Sequence, residues 1–208
     1  MVSSDPSRAV SLTLVGGELA LDFANTSSGR ETAGHLEHLR RAEHVVEWAA
    51  HARVISPQDA ERLAVRLAKD DALAARLFAE ALSLREDVFH LGAALAAGRP
   101  ATSECVENLT RAHARALGAG RLTPVGGNFG WTWSADATPI EAIVGPILLS
   151  VLTLLQQADL TRVRQCHGDK CGWLFFDATT NKSRRWCEME VCGNRAKQKR
   201  FGARARGA

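Results

Sequence analysis

The C-terminal quarter of the chain contains Cys166-HGDK-Cys171 and, after 15 further residues, Cys187-EMEV-Cys192. Each segment is a pair of cysteines with four residues between them. Two pairs of soft thiolates, separated by about the length of a hairpin, suit tetrahedral zinc because one Zn²⁺ can bind four of them. The sequence therefore predicts a single structural zinc ion bound by Cys166, Cys171, Cys187 and Cys192.

The spacing within each pair restricts the backbone that can carry it. Residues five apart on a helix are about 140° apart around its axis, so each pair is expected at a turn. Gly172 and Gly193 directly follow the second cysteine of each pair, where they would let the backbone bend and direct N–H groups at sulfur. Residues 161–164 and 173–177 are predicted strands, 178–182 a turn and 194–201 a helix. This order is typical of a zinc-ribbon or treble-clef-like module.

The cysteine set favours a closed structural site, because a catalytic zinc keeps one position open for water. A segment of this length cannot build an independent apolar core, so zinc is expected to supply much of its folding energy. The alternative is a group of reduced cysteines without a metal. His167, beside Cys166, is interpreted as a bystander, and Cys105 as a small core residue.

Positive charge is concentrated in the same part of the chain. Residues 159–208 contain 12 Lys/Arg and 5 Asp/Glu, whereas the net charge of the whole chain is only +3. A basic tail on a modestly acidic body indicates contact with a polyanion. The residues predicted to contact DNA are Arg184, Arg185, Arg195, Lys197, Lys199 and Arg200, and Arg204 and Arg206 extend the same run. The alternative is a solvated face that offsets the negative charge of the metal centre. Trp186 is expected to pack over the zinc site, although it could stack on a base.

Residues 1–158 are predicted to form a helical domain. A short strand at 12–15 and a helix at 18–25 precede helices at 36–52, 57–69, 71–97 and 103–118, with N-caps at Ser56, at Asp70 and at either Thr102 or Ser103. Residues 121–134 predict a hairpin. Thr138 and Glu141 have the form of a capping box that begins an apolar core helix extending to 157. The predicted fold class is mainly α: a helical domain with a short β-hairpin at 1–158, and the zinc-ribbon or treble-clef-like module at 159–208.

Several classes of protein do not fit the sequence. The first ten residues contain no apolar segment typical of a signal peptide. The longest apolar run, 14 residues from Ala142 to Leu155, is shorter than the roughly 20 needed to span a membrane. A cytoplasmic protein is therefore expected, and there clustered cysteines bind metal more often than they form disulfides. The catalytic signatures of P-loop, zincin, hydrolase and dinucleotide-binding enzymes are absent from the sequence, so an enzyme is not expected.

Two smaller groups of polar residues allow two interpretations each. His35, His38, His44 and His51 lie within 17 residues, which suggests a second metal site, but a polar helix surface is favoured because no carboxylate pattern completes the site. Asp22 and Asn25 could line a pocket. The interpretation that we favour is that they cap and hydrogen-bond a buried turn.

The same residues carry a resemblance to a known family. The run from Cys166 through Cys171-Gly172-Trp173-Leu174-Phe175 to Arg184-Arg185-Trp186-Cys187 and Cys192-Gly193-Asn194-Arg195 resembles the CGNR zinc finger of bacterial proteins. The run GGELALDFANT at residues 16–26 resembles the opening of the ABATE domain that usually precedes this finger. The resemblance implies zinc on the four cysteines, DNA as the finger's partner and a stress-responsive role in transcription. It also implies a small-molecule effector for the ABATE half, without assigning residues to it.

The residues and the resemblance together predict a cytoplasmic, DNA-binding transcription regulator with one structural zinc. One alternative is a protein- or RNA-binding adaptor in which the zinc module is only a scaffold. Another is a small-ligand-binding N-terminal domain with an appended finger. A homodimer would be needed to bind paired DNA half-sites, although no coiled-coil heptad predicts one.

Overall fold

The computed structural model describes residues 8–30 and 32–206, with side chains as far as Phe201. The helices are α1 (Leu19–Ala24), α2 (Ala42–His51), α3 (Pro57–Leu67), α4 (Asp71–Ala96), α5 (Ser103–Ala119), α6 (Pro139–Gln157) and α7 (Asn194–Arg206). The strands are β1 (Ser27–Ser28), β2 (Leu36–Glu37), β3 (Arg121–Val125), β4 (Asn128–Thr132), β5 (Val163–Gln165) and β6 (Leu174–Phe176). They form three antiparallel pairs, β1–β2, β3–β4 and β5–β6. The predicted fold, mainly helical with short hairpins, is confirmed.

Side-chain caps begin three of the long helices where the sequence predicts them. Ser56 Oγ accepts from Asp59 N, Asp70 Oδ1 from Leu73 N and Thr102 Oγ1 from Cys105 N. Each bond satisfies one of the backbone N–H groups that a helix leaves free at its start. The capping box predicted at Thr138 does not form, because Thr138 Oγ1 donates instead to Ser134 O, 3.1 Å away.

The helix predicted over residues 36–52 is shorter than expected, since α2 begins at Ala42. Leu36 and Glu37 instead form β2, which pairs with β1. Glu37 Oε1 then accepts from Leu39 N at 2.8 Å, and His44 Nδ1 accepts from Arg40 N at 3.2 Å. These side chains compete with helical hydrogen bonds for the backbone and delay the start of the helix.

The strand predicted at residues 12–15 is also wrong. The chain forms a 3₁₀ turn at Arg8–Ser11 and continues as irregular backbone to Val15. Two of its carbonyl groups nevertheless accept from distant side chains, Leu12 O from His51 Nε2 at 2.9 Å and Val15 O from Arg184 Nη2 at 3.1 Å. The segment therefore lines the body of the molecule without pairing as a strand.

Helix α6 lies at the centre of the core, as its apolar sequence predicts. Ile143 and Ile147 are fully buried, together with Phe23, Trp48 and Leu77 from α1, α2 and α4. By length and composition alone α6 could cross a membrane, with 19 residues and a mean hydropathy of 1.7, but 56% of its most apolar window is buried inside the molecule. It is accounted for as the core helix of the fold.

The hairpin β5–β6 belongs to the same core. Val163 and Leu174 are 1% and 0% exposed and pack among the helices. Gly92 of α4 leaves the space that Leu174 fills, since a Cβ there would lie 2.5 Å from Leu174 Cδ1. The predicted pairing of residues 161–164 with 173–177 is confirmed over Val163–Gln165 and Leu174–Phe176. The predicted boundary at 158/159 falls between α6 and β5 and stays a prediction.

Candidate metal centre and basic cleft

The sulfur atoms of Cys166, Cys171, Cys187 and Cys192 all lie within 4.8 Å of one another. Cys187 Sγ is 3.5 Å from Cys171 Sγ and 3.6 Å from Cys192 Sγ. Sulfurs bound to one tetrahedral zinc at about 2.3 Å would be about 3.8 Å apart, whereas a disulfide would bring two of them to about 2 Å. All four cysteines are free. The arrangement fits one closed, structural Zn²⁺ site.

Burial makes a cation necessary for this cluster. Cys166, Cys187 and Cys192 are each at most 6% exposed. The Cys171 and Cys187 thiols donate hydrogen bonds to the Cys166 sulfur, which lowers the pKa of Cys166. Donating these bonds favours the protonated form of Cys171 and Cys187 and raises the pKa of each. Burial raises the pKa of Cys192. Four buried thiolates this close together would repel one another, so a bound metal ion is needed to hold all four in that form.

Each cysteine pair lies on a turn, as its spacing predicts. In the first turn, Cys171 N donates to Gly168 O at 3.0 Å. In the second, the backbone forms a π-helical turn at Met189–Gly193, and Cys192 N donates to Glu188 O at 3.0 Å. This second turn leads directly into α7. The metal centre thus fixes the start of the basic helix.

Gly172 and Gly193, which were both predicted to bend the backbone and direct N–H groups at sulfur, have two different roles. Gly172 has φ +69°, so it does supply a left-handed bend. Gly193 is buried, and a Cβ there would collide with Met189 Sδ and approach Trp186 Cδ1 to 3.2 Å. The N–H groups that stabilise the sulfurs come from Gly168 and Cys187 to Cys166, and from Trp173 to Cys171. Gly193 therefore leaves room for the Met189 and Trp186 side chains, and the predicted sulfur contacts belong to other residues.

Gly168 is a site residue that the spacing argument missed. A Cβ at this position would lie 3.1 Å from Cys171 Cβ, 3.3 Å from Cys192 Sγ and 3.6 Å from Cys166 Sγ. The backbone of Gly168 therefore passes against the sulfur cage itself. The signal available in the sequence was a glycine inside the first C-x4-C loop.

The Arg184 guanidinium bonds to other parts of the protein. Nη2 donates to Val15 O at 3.1 Å and to Cys187 O, and Nε donates to Trp186 O at 3.1 Å. The guanidinium also lies 4.4 Å from the ring centre of Phe175, which is fully buried beside the zinc ligands. Arg184 therefore joins the second cysteine turn to the N-terminal segment.

The segment that opens the ABATE-like half is bonded to the first cysteine turn. Asn25 Nδ2 donates to Leu174 O and Asn25 Oδ1 accepts from Leu174 N, both at 2.8 Å. Trp173 Nε1 donates to Ser28 Oγ at 2.8 Å, and Gly29 N donates to Cys171 O at 2.8 Å. A zinc ligand and the strand that follows it are thus held by residues about 145 positions away in the sequence.

Asp22 closes the turn that precedes α1. Its Oδ1 accepts from Gly16 N at 2.7 Å, and a Cβ on Gly16 would clash with the Asp22 backbone N at 2.7 Å. Burial raises the pKa of Asp22 to about 6, against the lowering effect of the backbone hydrogen bonds from Gly16 and Val15. Asp22 and Asn25 therefore both bond backbone groups of buried segments, which is the interpretation favoured from the sequence.

A cleft of about 580 Å³ lies beside the metal centre. Its lining combines the first cysteine turn, the rings of His167 and Trp186, and one side of α7. Trp186 also packs against the buried cysteines, as predicted. The cations that line the cleft are Lys170, Arg185, Arg195, Lys199 and Arg200, and Asp169 is the one acid in that lining.

The predicted DNA-contacting residues divide into three groups. Arg185, Arg195, Lys199 and Arg200 line the cleft and are exposed, and Lys199 forms an ion pair with Asp169. Lys197 is exposed but lies outside the cleft lining, because it is two residues from Arg195 on α7 and points to another side. Arg184 is turned inward. The side chains of Arg204 and Arg206 lie outside the described residues.

The four histidines do not come together. His35 Nε2 bonds Ser27 Oγ at 2.9 Å, His38 Nε2 bonds Ser28 Oγ at 2.8 Å, and His44 and His51 bond separate backbone groups. Over residues 8–30 and 32–206, the zinc cysteines are the one His/Cys/Asp/Glu cluster with metal-binding geometry. Cys105 is 4% exposed in α5, far from that cluster in the sequence, and its Sγ donates to Asp87 O.

Comparison with known families agrees with this geometry. The model of the CGNR zinc finger matches residues 162–205. The model of the ABATE domain, described as a "putative stress-induced transcription regulator", matches residues 17–158. No curated protein gives a significant match. The fold and the site define a zinc-finger protein with a helical N-terminal domain. The chain belongs to the ABATE family and carries a C-terminal CGNR zinc finger.

Proposed function

We propose that this protein is a transcription regulator that binds DNA through the basic cleft beside its zinc site. The observation that carries the proposal is the lining of that cleft, which has five cations against one acid next to a metal-fixed turn. Backbone phosphates supply most of the affinity in protein–DNA complexes. A cleft with this charge, on a zinc-stabilised support, suits phosphate contacts.

The orientation of α7 supports the proposal. Arg195 and Lys199 are four positions apart and lie about 40° from each other around the helix, and Arg200 lies about 100° further on. All three line the cleft. The helix begins directly after Cys192, and zinc binding would therefore hold these side chains in a fixed position relative to the DNA. Arg185 and Lys170 face them from the two cysteine turns.

Two of the predicted DNA contacts take different roles in this proposal. Arg184 is assigned to the protein's own structure because its guanidinium is bonded to three backbone carbonyls. Lys197 contributes general positive charge from outside the cleft. The proposal is of a binding protein in the cytoplasm, not an enzyme. A stress signal and a small-molecule effector for the N-terminal domain stay predictions.

A salt titration of duplex DNA binding tests the proposal. We expect log K to fall with log salt by about 0.9 for each phosphate neutralised. Arg195→Ala should weaken binding and reduce that slope by about 1. Fluorescence anisotropy of labelled duplexes with the zinc-loaded protein gives both quantities.

The charge-matched control is Lys197→Ala, which removes one cation from the same helix but leaves the cleft intact. It should have a smaller effect than Arg195→Ala. Salt-independent or absent binding would contradict the proposal. Preference for single-stranded RNA over duplex DNA in competition would favour the adaptor alternative instead.

A further inference from the structure

The hairpin β3–β4 is a second exposed feature, separate from the zinc site. Its two strands are joined by Gly126 and Gly127, with φ +56° and +85°, which is the two-residue turn typical of tight hairpins. Phe129 is 71% exposed, Leu122 58% and Trp131 37%. A two-stranded hairpin is marginally stable by itself. This one also leaves large apolar side chains in water, so it is suited to a partner.

The two edges of this hairpin are not equivalent. Val125 and Asn128 flank the turn. In a two-residue hairpin the flanking pair exchanges both of its hydrogen bonds, so the backbone N–H and C=O groups at the next position on each strand point away from the partner strand. On β3 those positions include Pro124, which has no N–H and blocks further pairing. On β4 they are Phe129 and Trp131, which both have N–H and C=O groups. Over residues 8–30 and 32–206, no third strand pairs with β4. The outer edge of β3 is therefore blocked by Pro124, and the outer edge of β4 is open to pairing with another strand.

The sequence of the open strand is nearly symmetric about its centre. It runs Asn128-Phe129-Gly130-Trp131-Thr132, which is polar, aromatic, glycine, aromatic, polar. If two copies of β4 pair antiparallel about Gly130, Phe129 of each copy lies opposite Trp131 of the other. Asn128 then faces Thr132, and the two glycines meet at the centre. Aromatic pairs across strands are favourable, and the strand has no charged residue that would repel its copy.

We propose that two copies of this chain associate through the open edge of β4, around a two-fold axis at Gly130. The two hairpins then form one four-stranded antiparallel sheet. Phe129 and Trp131 pair across the interface in both directions, as an isologous contact requires. Because Pro124 blocks the outer edge of each hairpin, the assembly closes as a dimer and does not extend into a fibre.

The dimer goes beyond the DNA-binding proposal and does not depend on it. The hairpin lies between α5 and α6 in the sequence, whereas the zinc ligands follow α6. Failure of DNA binding would leave the dimer untouched, and the reverse also holds. If both are correct, the two-fold axis places two zinc fingers in one particle, which is the arrangement that paired half-sites require.

Sedimentation equilibrium of the zinc-loaded full chain over a range of concentrations tests the proposal. The wild type should be a dimer, and Phe129→Glu should weaken association at least tenfold by placing a charge opposite Trp131 of the other copy. Val125→Glu is the control. It changes another exposed apolar residue, 53% exposed on the blocked strand, and should leave association unchanged. A monomer at all concentrations, or a dimer insensitive to Phe129→Glu, would overturn the proposal.

A cross-link tests the register independently. In the proposed pairing the two Gly130 Cα atoms are about 4.5 Å apart, within disulfide range, whereas the two Asn128 Cα atoms are about 14 Å apart. Oxidised glutathione should therefore convert Gly130→Cys into a covalent dimer but leave Asn128→Cys at the wild-type background. Equal cross-linking of both variants, or of neither, would overturn the register about Gly130.

Discussion

Asn25 and Leu174 exchange two hydrogen bonds, both 2.8 Å long, across the joint between the N-terminal helices and the zinc module. The side-chain amide donates to the Leu174 carbonyl and accepts from the Leu174 N–H. The Asn25 amide therefore bonds the outward-facing N–H and C=O groups of Leu174 on β6, as the backbone of a neighbouring strand would. Asn25 is 3% exposed and Leu174 is fully buried, so water cannot replace these bonds.

Asn25→Ala should lower the free energy of unfolding by about 2–6 kcal/mol, because it leaves two buried groups without a partner and each costs about 1–3 kcal/mol. Urea denaturation followed by circular dichroism measures the change. Asn181→Ala, in the exposed turn after β6, is the control and should change stability by less than about 0.5 kcal/mol. An equal loss in both variants would show that the two bonds do not join the halves.

Cys187→Ser should abolish stoichiometric zinc, because Cys187 Sγ is central to the cluster, 3.5 and 3.6 Å from two other sulfurs. The terminal helix should lose its structure while the helical body stays folded. Zinc release measured by a chromophoric chelator, together with far-UV circular dichroism, checks both results. Cys105→Ser, which keeps a donor to Asp87 O, should retain one zinc per chain. A folded, zinc-free tail in Cys187→Ser would contradict the metal's structural role.

Gly168→Ala should weaken zinc binding because the new methyl group would press on Cys171 Cβ and Cys192 Sγ, 3.1 and 3.3 Å away. A loss of ten- to a hundredfold in affinity is the size expected when the support of a metal ligand is disturbed. Competition with a chelator of known affinity measures it. Gly118→Ala in α5, where a Cβ meets nothing within 4 Å, is the matched control. It should leave zinc affinity unchanged and raise helix stability by up to about 1 kcal/mol.

Asp22→Asn should stabilise the protein more at pH 7 than at pH 5. Burial raises the pKa of Asp22 to about 6 from an ordinary 3.8, so the folded state loses stability as pH rises from about 4 to above 6. The neutral amide keeps an acceptor for Gly16 N and removes this loss. The gain over wild type should increase by about 1 kcal/mol between pH 5 and pH 7.

Urea denaturation at both pH values, each with zinc present, gives the two differences. Asp136→Asn is the control, since its carboxylate is 72% exposed, and it should give the same small difference at both pH values. A pH-independent effect of Asp22→Asn would show that the carboxylate does not titrate in this range.

The zinc ligands could be predicted because their pattern is local and chemically specific. The C-x4-C spacing required turns, and thiolate chemistry required a metal. Helix starts at Ser56, Asp70 and Thr102 were predictable for the same reason, since a cap depends on residues within one turn. The hairpin at β3–β4 followed from its Gly126-Gly127 turn.

Contacts between distant residues could not be predicted in this way. Arg184 has the sequence context of a basic DNA contact, yet it is bonded to Val15 O, 169 positions away. Lys170 was not predicted as part of the basic cleft because it lies in the first cysteine turn, outside the dense basic run. The start of α2 was misplaced because Glu37 and His44 bond the backbone in ways that apolar periodicity does not reveal. For Arg184 and for the start of α2, a side-chain hydrogen bond, and not local helix propensity, decided the structure.

The packing of Leu174 against Gly92 has a consequence for the order of folding. During synthesis, residues 1–158 emerge from the ribosome before β5 and β6, so the space beside Gly92 and Leu21 that Leu174 fills is at first open to water. Contacts that span about 150 positions form slowly, because the chain must first close a long loop. We expect the nascent N-terminal part to be compact but incomplete until the last 50 residues emerge. Zinc would then bind last and stabilise the contacts between the two parts of the chain.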